Sequence, residues 1–194
     1  RTHVWPLHGT LSPADQDQAI MPSAPGERKV VLATSIAETS LTIEGVRVVI
    51  DSGLARVPRF SPRTGMTSLE TIRVSQASAD QRRGRAGRVA PGICYRLWAE
   101  HEQHHLVAYA APEILEADLA PVALELAAAG VDDPSSLRWL DAPPAAAYAQ
   151  ARELLVELGA LHAGAGFARI TPHGRRMAEL PMHPRLAHMV LQGS

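Results

Sequence analysis

Gln81-Arg82-Arg83-Gly84-Arg85-Ala86-Gly87-Arg88 is the stretch on which the reading of this chain turns. On a helix, at 100° per residue, Gln81, Arg85 and Arg88 fall within about 60° of one another, while Arg83 points to the far side. One face then presents an amide and two guanidiniums, beside a strip at Gly84 and Gly87 that carries no side chains and lets another backbone or a ligand approach. Paired guanidiniums on a rigid element suit a triphosphate, because each fork can bind two phosphate oxygens and neutralise charge that grows during phosphoryl transfer. The plainer alternative is a basic helix that binds solvent anions.

Upstream, Val30-Val31-Leu32-Ala33 and Val46-Arg47-Val48-Val49-Ile50 are short, β-branched and apolar, and read as strands. Continuous apolar character suits buried parallel strands, hence an α/β sheet. Between them runs Ala33-Thr34-Ser35-Ile36-Ala37-Glu38-Thr39-Ser40-Leu41-Thr42-Ile43-Glu44-Gly45. Ligands of open α/β sheets bind at the carboxyl ends of strands, where this loop is expected. Its hydroxyls can donate to nucleic-acid phosphates, although hydroxyl-rich loops usually cap helices. Residues 58–75 read as a β-hairpin, 75–88 as a helix with Ser78 and Gln81 spaced as a capping box, and 92–98 as a third strand.

The charge distribution is uneven. Residues 56–100 hold nine arginines against Glu70, Asp80 and Glu100, a net +6 within a chain of net −1. A basic middle in an acidic chain points to a localised anion site. Lys29 is the single lysine among 19 basic residues, so compositional bias is the competing explanation. Cys94 is the single cysteine, which excludes an intrachain disulfide, and its apolar neighbours favour a structural thiol. No apolar run approaches the roughly 20 residues needed to span a bilayer, and a cytoplasmic location is the expectation.

Beyond about Glu100, alanine and leucine become frequent and prolines punctuate the chain. Helices are expected over 117–129 and 145–158, each closed by a glycine, with Ala151, Leu154, Leu155 and Leu158 on one face of the second. A hairpin with Gly164 and Gly166 at its turn follows, then a helix capped by Thr171 with Pro172 at its first position, and a last helix from Pro184. Small helices and a hairpin in that order spell a winged helix. The expected domains are 1–100, α/β; 101–170, winged helix; and 171–194, the start of a further helical unit.

Together these segments resemble the DEAH-box helicases of superfamily 2, and are most similar to their bacterial HrpB branch. Residues 33–45 look like motif V and 81–88 like motif VI; Asp51-Ser52-Gly53-Leu54, Arg63-Thr64-Gly65-Met66, Arg138-Trp139-Leu140-Asp141 and Leu180-Pro181-Met182-His183-Pro184 also fit. The resemblance implies a RecA-like parallel-sheet domain of the P-loop NTPase type, the second motor half of an ATP-dependent helicase acting on single-stranded nucleic acid. RNA is favoured over DNA by resemblance alone. It implies that Gln81, Arg85 and Arg88 reach the γ-phosphate of ATP, with Arg85 and Arg88 as arginine fingers. Ser40, Thr42, Glu44 and Gly84 would lie on the nucleotide side, Ser40 sensing the nucleotide and its Mg2+-bound water. Thr34, Ser35 and Arg63 would face the nucleic acid. Ser35 stands where the family usually has asparagine, and the family's adenine-stacking aromatic falls near Ile20 and Met21.

The 194 residues contain no Gly-x-x-x-x-Gly-Lys-Ser/Thr loop and no Asp-Glu-x-His box. ATP and Mg2+ are therefore expected to be held mainly by an N-terminal RecA-like domain of the same protein, and the isolated chain is expected to be inactive. Two other readings stand beside this one. His101-Glu102-Gln103-His104-His105 matches the zinc-peptidase pattern, with His101 and His105 as ligands and Glu102 as base. A non-catalytic winged-helix adapter for nucleic acid is the third.

Overall fold

The computed structural model describes residues 1–39, 43–131, 133–163 and 169–193, with only the backbone of Thr39. The chain divides into two compact units, Arg1–Val57 with Leu69–Ala110, and Pro58–Ser68 with Ala111–Ser194.

In the first unit, β1 (Thr2–Leu7) is followed by α1 (Pro13–Ile20), two elements the sequence patterns did not single out. Ser12 caps α1 by accepting from the Asp15 amide at 3.2 Å, and Pro13 takes the first helical position, where a missing N–H costs nothing. The other end is held by Lys29, whose ammonium donates to the carbonyls of Ala19, at 2.8 Å, and Met21. A cation there satisfies orphan carbonyls and complements the helix dipole.

Strand β2 (Arg28–Ala33) pairs in parallel with β1, from Thr2 opposite Arg28 to Leu7 opposite Ala33. A short helix, α2 (Ile36–Thr39), opens directly beyond it. The strand expected from Val46 begins two residues later, as β3 (Val48–Asp51). The hairpin is formed by β4 (Leu54–Ser61) and β5 (Met66–Arg73), and turns at Gly65, whose φ of 64° favours glycine. Next come α3 (Gln76–Ala86), β6 (Ile93–Arg96) and α4 (Glu100–Gln103).

β3 pairs in parallel with β6, from Val48 opposite Ile93 to Asp51 opposite Arg96, so the parallel α/β expectation holds. Burial along these strands alternates rather than being continuous. Val30, Leu32, Val48, Ile50, Ile93 and Tyr95 are exposed, while the residues alternating with them, Val31, Val49, Asp51, Cys94 and Arg96, are half-buried or buried. Gly92 lets β6 start directly behind α3: a β-carbon there would stand 2.0 Å from the Ala86 carbonyl oxygen.

The second unit packs α5 (Ala120–Ala128), α6 (Ala145–Glu157), α7 (Pro172–Ala178) and α8 (Pro184–Gln192) around one core. Ala151 and Leu155 of α6 are buried with Leu124, Tyr148 and Met177, and Leu154 and Leu158 pack against them, the face expected from the sequence. Gly130 and Gly159, at φ 77° and 67°, close α5 and α6. Leu161 and Ile170 form an antiparallel bridge at the base of the expected hairpin, whose turn at Gly164 and Gly166 lies outside the described residues. Thr171 caps α7, accepting from the Gly174 amide at 2.9 Å.

α7 and α8 also share a histidine pair. His173 Nε2 lies 2.9 Å from His188 Nδ1, with the rings nearly perpendicular at 5.1 Å. Burial, then the charges of His188 and Arg176, push the His173 pKa below its ordinary value. The unfolded chain therefore takes up this proton at higher pH than the folded one. Stability should be intact above the ordinary histidine value of about 6.5 and decline as pH falls through the lower folded value. Thermal unfolding followed from about pH 7.5 to about pH 5 should show this decline, and His173→Gln should flatten it.

Candidate functional site

The site grows out of α3. Its N-cap is Ser75, whose Oγ accepts from the Ser78 amide at 3.1 Å, so the capping box expected at Ser78 and Gln81 is not formed. Extended geometry at Ser75 and the hairpin entering just before it start the helix three residues earlier. Ser78 is thereby inside the first turn with its hydroxyl directed outward.

Ser78, Arg82 and Arg85, at positions i, i+4 and i+7, share one face of α3 and all bond to Glu38 in α2. The Ser78 hydroxyl donates to one carboxylate oxygen of Glu38, and Arg82 Nε donates to the other at 3.0 Å. Arg85 donates through Nε, at 2.9 Å, and through a terminal nitrogen to the backbone carbonyl of Glu38. Arg82 continues past Glu38, donating to Asp51 Oδ1 at 2.8 Å and to the Leu54 carbonyl at 3.1 Å.

Exposure decides how much these ion pairs matter. The side chains of Arg82, Glu38 and Asp51 are 17%, 14% and 0% exposed, so the pairs escape most of the screening that makes surface salt bridges weak. Burial alone would pull the Arg82 pKa down, but its bonds to Asp51 and Glu38 and their charges more than offset it and leave it raised. Asp51 Oδ1 also accepts from the Gly53 amide at 3.0 Å, holding the turn that leads into β4.

The arginine pair sits at the open end of this network. Arg85 is half-buried, whereas Gln81, one turn earlier, and Arg88 are exposed. α3 ends at Ala86 with Gly87 as its cap, so Arg88 lies beyond the helix and its helical phase does not place it. Its charge is nevertheless felt at Arg85, whose pKa is lowered first by burial and then by Arg88, against the opposing pull of Glu38. A β-carbon at Gly84 or Gly87 would meet nothing within 4 Å, so this surface has room for an incoming group. Two mutually repelling cations beside an open glycine strip fit a polyanion such as a triphosphate end.

The other sequence-derived positions are distributed as follows. Thr34 closes β2, its amide donating to the Leu7 carbonyl at 3.1 Å, and the Ser35 carbonyl accepts from the Glu38 amide at 2.9 Å; both residues are exposed. Glu44 is exposed, while Ser40 and Thr42 lie outside the described residues. Arg63 is exposed at the hairpin turn and belongs to the second unit.

The zinc-peptidase geometry is not formed. α4 stops at Gln103, so His101 and His105 are not a turn apart on one helix. Glu102 is engaged by the Ala99 amide at 2.9 Å and by Arg73. Among the described residues, no group of three or more His, Cys, Asp or Glu could hold a metal ion.

Glu38, Ser78, Arg82 and Asp51 were missed from sequence. A signal existed: Val48-Val49-Ile50-Asp51 ends an apolar strand on a carboxylate, which demands a cation, and the Ser78, Arg82, Arg85 spacing marks one helix face.

Comparison with known proteins agrees with this architecture. The profile of the helicase conserved C-terminal domain matches residues 1–90, and that of the winged-helix helicase-associated domain matches residues 151–182. The fold is thus a RecA-like helicase domain followed by a winged helix. The ATP-dependent RNA helicase HrpB of Escherichia coli K12 is 50% identical over 188 residues, covering 97% of this chain and 23% of that protein. The human probable ATP-dependent RNA helicase DHX34 is 40% identical over 191 residues, covering 98% and 16%. A crystal structure of the E. coli DEAH/RHA helicase HrpB superposes with a TM-score of 0.92 at 49% identity, covering all of this chain and 24% of that one. The chain belongs to the DEAH-box helicases, and spans about a quarter or less of the length of these curated relatives.

Removing the Asp51 carboxylate leaves Arg82 short of its most buried counter-charge. Asp51→Ala should cost about 3 kcal/mol in chemical denaturation, the range for a broken buried ion pair, and Asp51→Asn less because an acceptor remains.

Proposed function

We propose that this chain is the second motor half of an ATP-dependent helicase acting on single-stranded nucleic acid, with RNA as the substrate. The names of its relatives, ATP-dependent RNA helicases, support that reading. The observation that carries it is Arg85, half-buried on α3 between the open positions at Gly84 and Gly87 and under the influence of the Arg88 charge.

In this reading Gln81, Arg85 and Arg88 contact the terminal phosphate of ATP. The guanidiniums neutralise charge as the γ-phosphoryl bond to its bridging oxygen breaks and water attacks. Ser40, Thr42, Glu44 and Gly84 lie on the nucleotide side. Thr34, Ser35 and Arg63 contact the nucleic-acid backbone, whose phosphates carry no base identity. Mg2+ and the rest of the triphosphate are held by an N-terminal RecA-like domain of the same polypeptide. The domain bounds we propose are 1–100, 101–170 and 171–194, the last packed on the core of the one before it, and the protein works in the cytoplasm. No helix among the described residues is long and apolar enough to cross a membrane.

In the full-length protein, Arg85→Ala should lower ATP turnover by about 10³-fold or more. Arg85→Lys should not restore it, since an ammonium cannot reproduce the two-pronged contact. Turnover unchanged by Arg85→Ala would overturn the reading, and the isolated 194-residue chain should hydrolyse no ATP.

Gly84→Ala separates folding from function. A β-carbon there meets nothing within 4 Å, and alanine is favoured over glycine inside a helix. The variant should be more stable by about 0.5–1 kcal/mol in chemical denaturation, yet slower in ATP turnover because the new methyl group stands on the strip where nucleotide approaches.

A further inference from the structure

We infer that Glu38 is a positioning residue for Arg85: its carboxylate, gripped by Ser78 and Arg82, fixes the backbone carbonyl on which the Arg85 guanidinium rests, and the terminal phosphate of ATP competes with that carbonyl for Arg85. This rests on the reading of Arg85 as a phosphate-contacting residue.

α2 is a single turn, Ile36–Thr39, and so short a helix has no stability of its own. Its direction must be imposed from outside. The Glu38 carboxylate supplies that restraint, with one oxygen on Ser78 and the other on Arg82, while Arg82 is itself tied to the buried Asp51 of β3. The restraint thus runs from the sheet through α3 to α2. It ends at the Glu38 carbonyl, which accepts from two N–H groups of Arg85.

That contact suits a resting position. A carbonyl is a neutral acceptor, whereas a phosphate carries charge and can take both prongs of the guanidinium, which makes it the stronger partner. The carbonyl therefore gives Arg85 a defined position from which a charged phosphate can draw it. The repulsion from Arg88 adds to the drive toward an anion. Without the Glu38 carboxylate, α2 loses its orientation and Arg85 its defined starting point. A misplacement on the order of 1 Å is enough to slow a reaction by about 10²-fold.

Single-turnover ATP hydrolysis in the full-length protein tests this, because it isolates the chemical step from product release. Glu38→Ala should lower the rate by about 10- to 100-fold with the KM for ATP changed less than about threefold. Glu38→Gln, which retains an acceptor for Arg82 and a bond to Ser78, should recover most of the rate. In the Arg85→Ala background, Glu38→Ala should slow hydrolysis by less than about twofold, since coupled residues are not additive.

A full additional loss in that background, or an unchanged rate in Glu38→Ala alone, would overturn the inference while leaving the role of Arg85 intact. An unchanged rate in Arg85→Ala would instead remove the reading beneath it. Should Glu38→Ala fail to fold, Ser78→Ala takes its place. It removes one of the two grips on the carboxylate and should lower the rate by about three- to tenfold with the same non-additivity, and an unchanged rate there would overturn the inference equally.

Discussion

The contact between Arg82 and Asp51 joins a guanidinium with little access to water to a carboxylate with none. Neither charge is tolerable there alone, since an uncompensated buried charge costs several kcal/mol. The pair therefore makes one relation obligatory: α3 must lie where Arg82 can reach the carboxyl end of β3. Everything proposed for the site descends from that relation. Arg82 also reaches Glu38, which sets α2 beyond β2, and one helical turn later Arg85 meets the carbonyl of the same residue. The carboxyl ends of β2 and β3, each paired in parallel with its own neighbour, are in this way tied to a single helix face, and such ends are where α/β domains bind their ligands.

The second unit is held by different physics. Its core is almost wholly apolar, built from alanine and leucine on helices closed by positive-φ glycines. Gly174 allows α7 to approach the residues leading into the wing, since a β-carbon there would come within 2.2 Å of the Ala160 carbonyl oxygen. Where the first unit fixes its elements with charge, this one fixes them with shape. Its polar contacts, His173 with His188 and His183 with Asp118, sit at the rim of the helices rather than at the centre.

Much of this was legible in the residues because it rests on local signals. The strands at Val30 and Ile93, the cap at Thr171, the stops at Gly130 and Gly159 and the buried face of α6 each follow from a few neighbouring residues. β1 and α1 were less visible, since Thr2–Leu7 mixes polar and apolar residues without a clean period and α1 has only Ala19 buried. The arginine face was foreseen from helical phase, yet that phase covers only Gln81 and Arg85, because Gly87 ends the helix before Arg88. The Glu38 hub was not foreseen at all. It depends on residues 40 or more positions apart meeting across α2 and α3, and neither segment alone announces the other.

On the proposed reading, Arg85 exchanges a backbone carbonyl for a phosphate while the Arg82 network stays put. A crystal structure of the full-length protein with ADP and a fluoride mimic of the transferring phosphoryl group examines this directly. The Arg85 guanidinium should then lie within about 3 Å of the fluoride group and away from the Glu38 carbonyl, with the Arg82 bonds to Asp51 and Glu38 retained. Arg85 still seated on the Glu38 carbonyl beside a bound mimic, or an Arg82–Asp51 pair broken on binding, would contradict it.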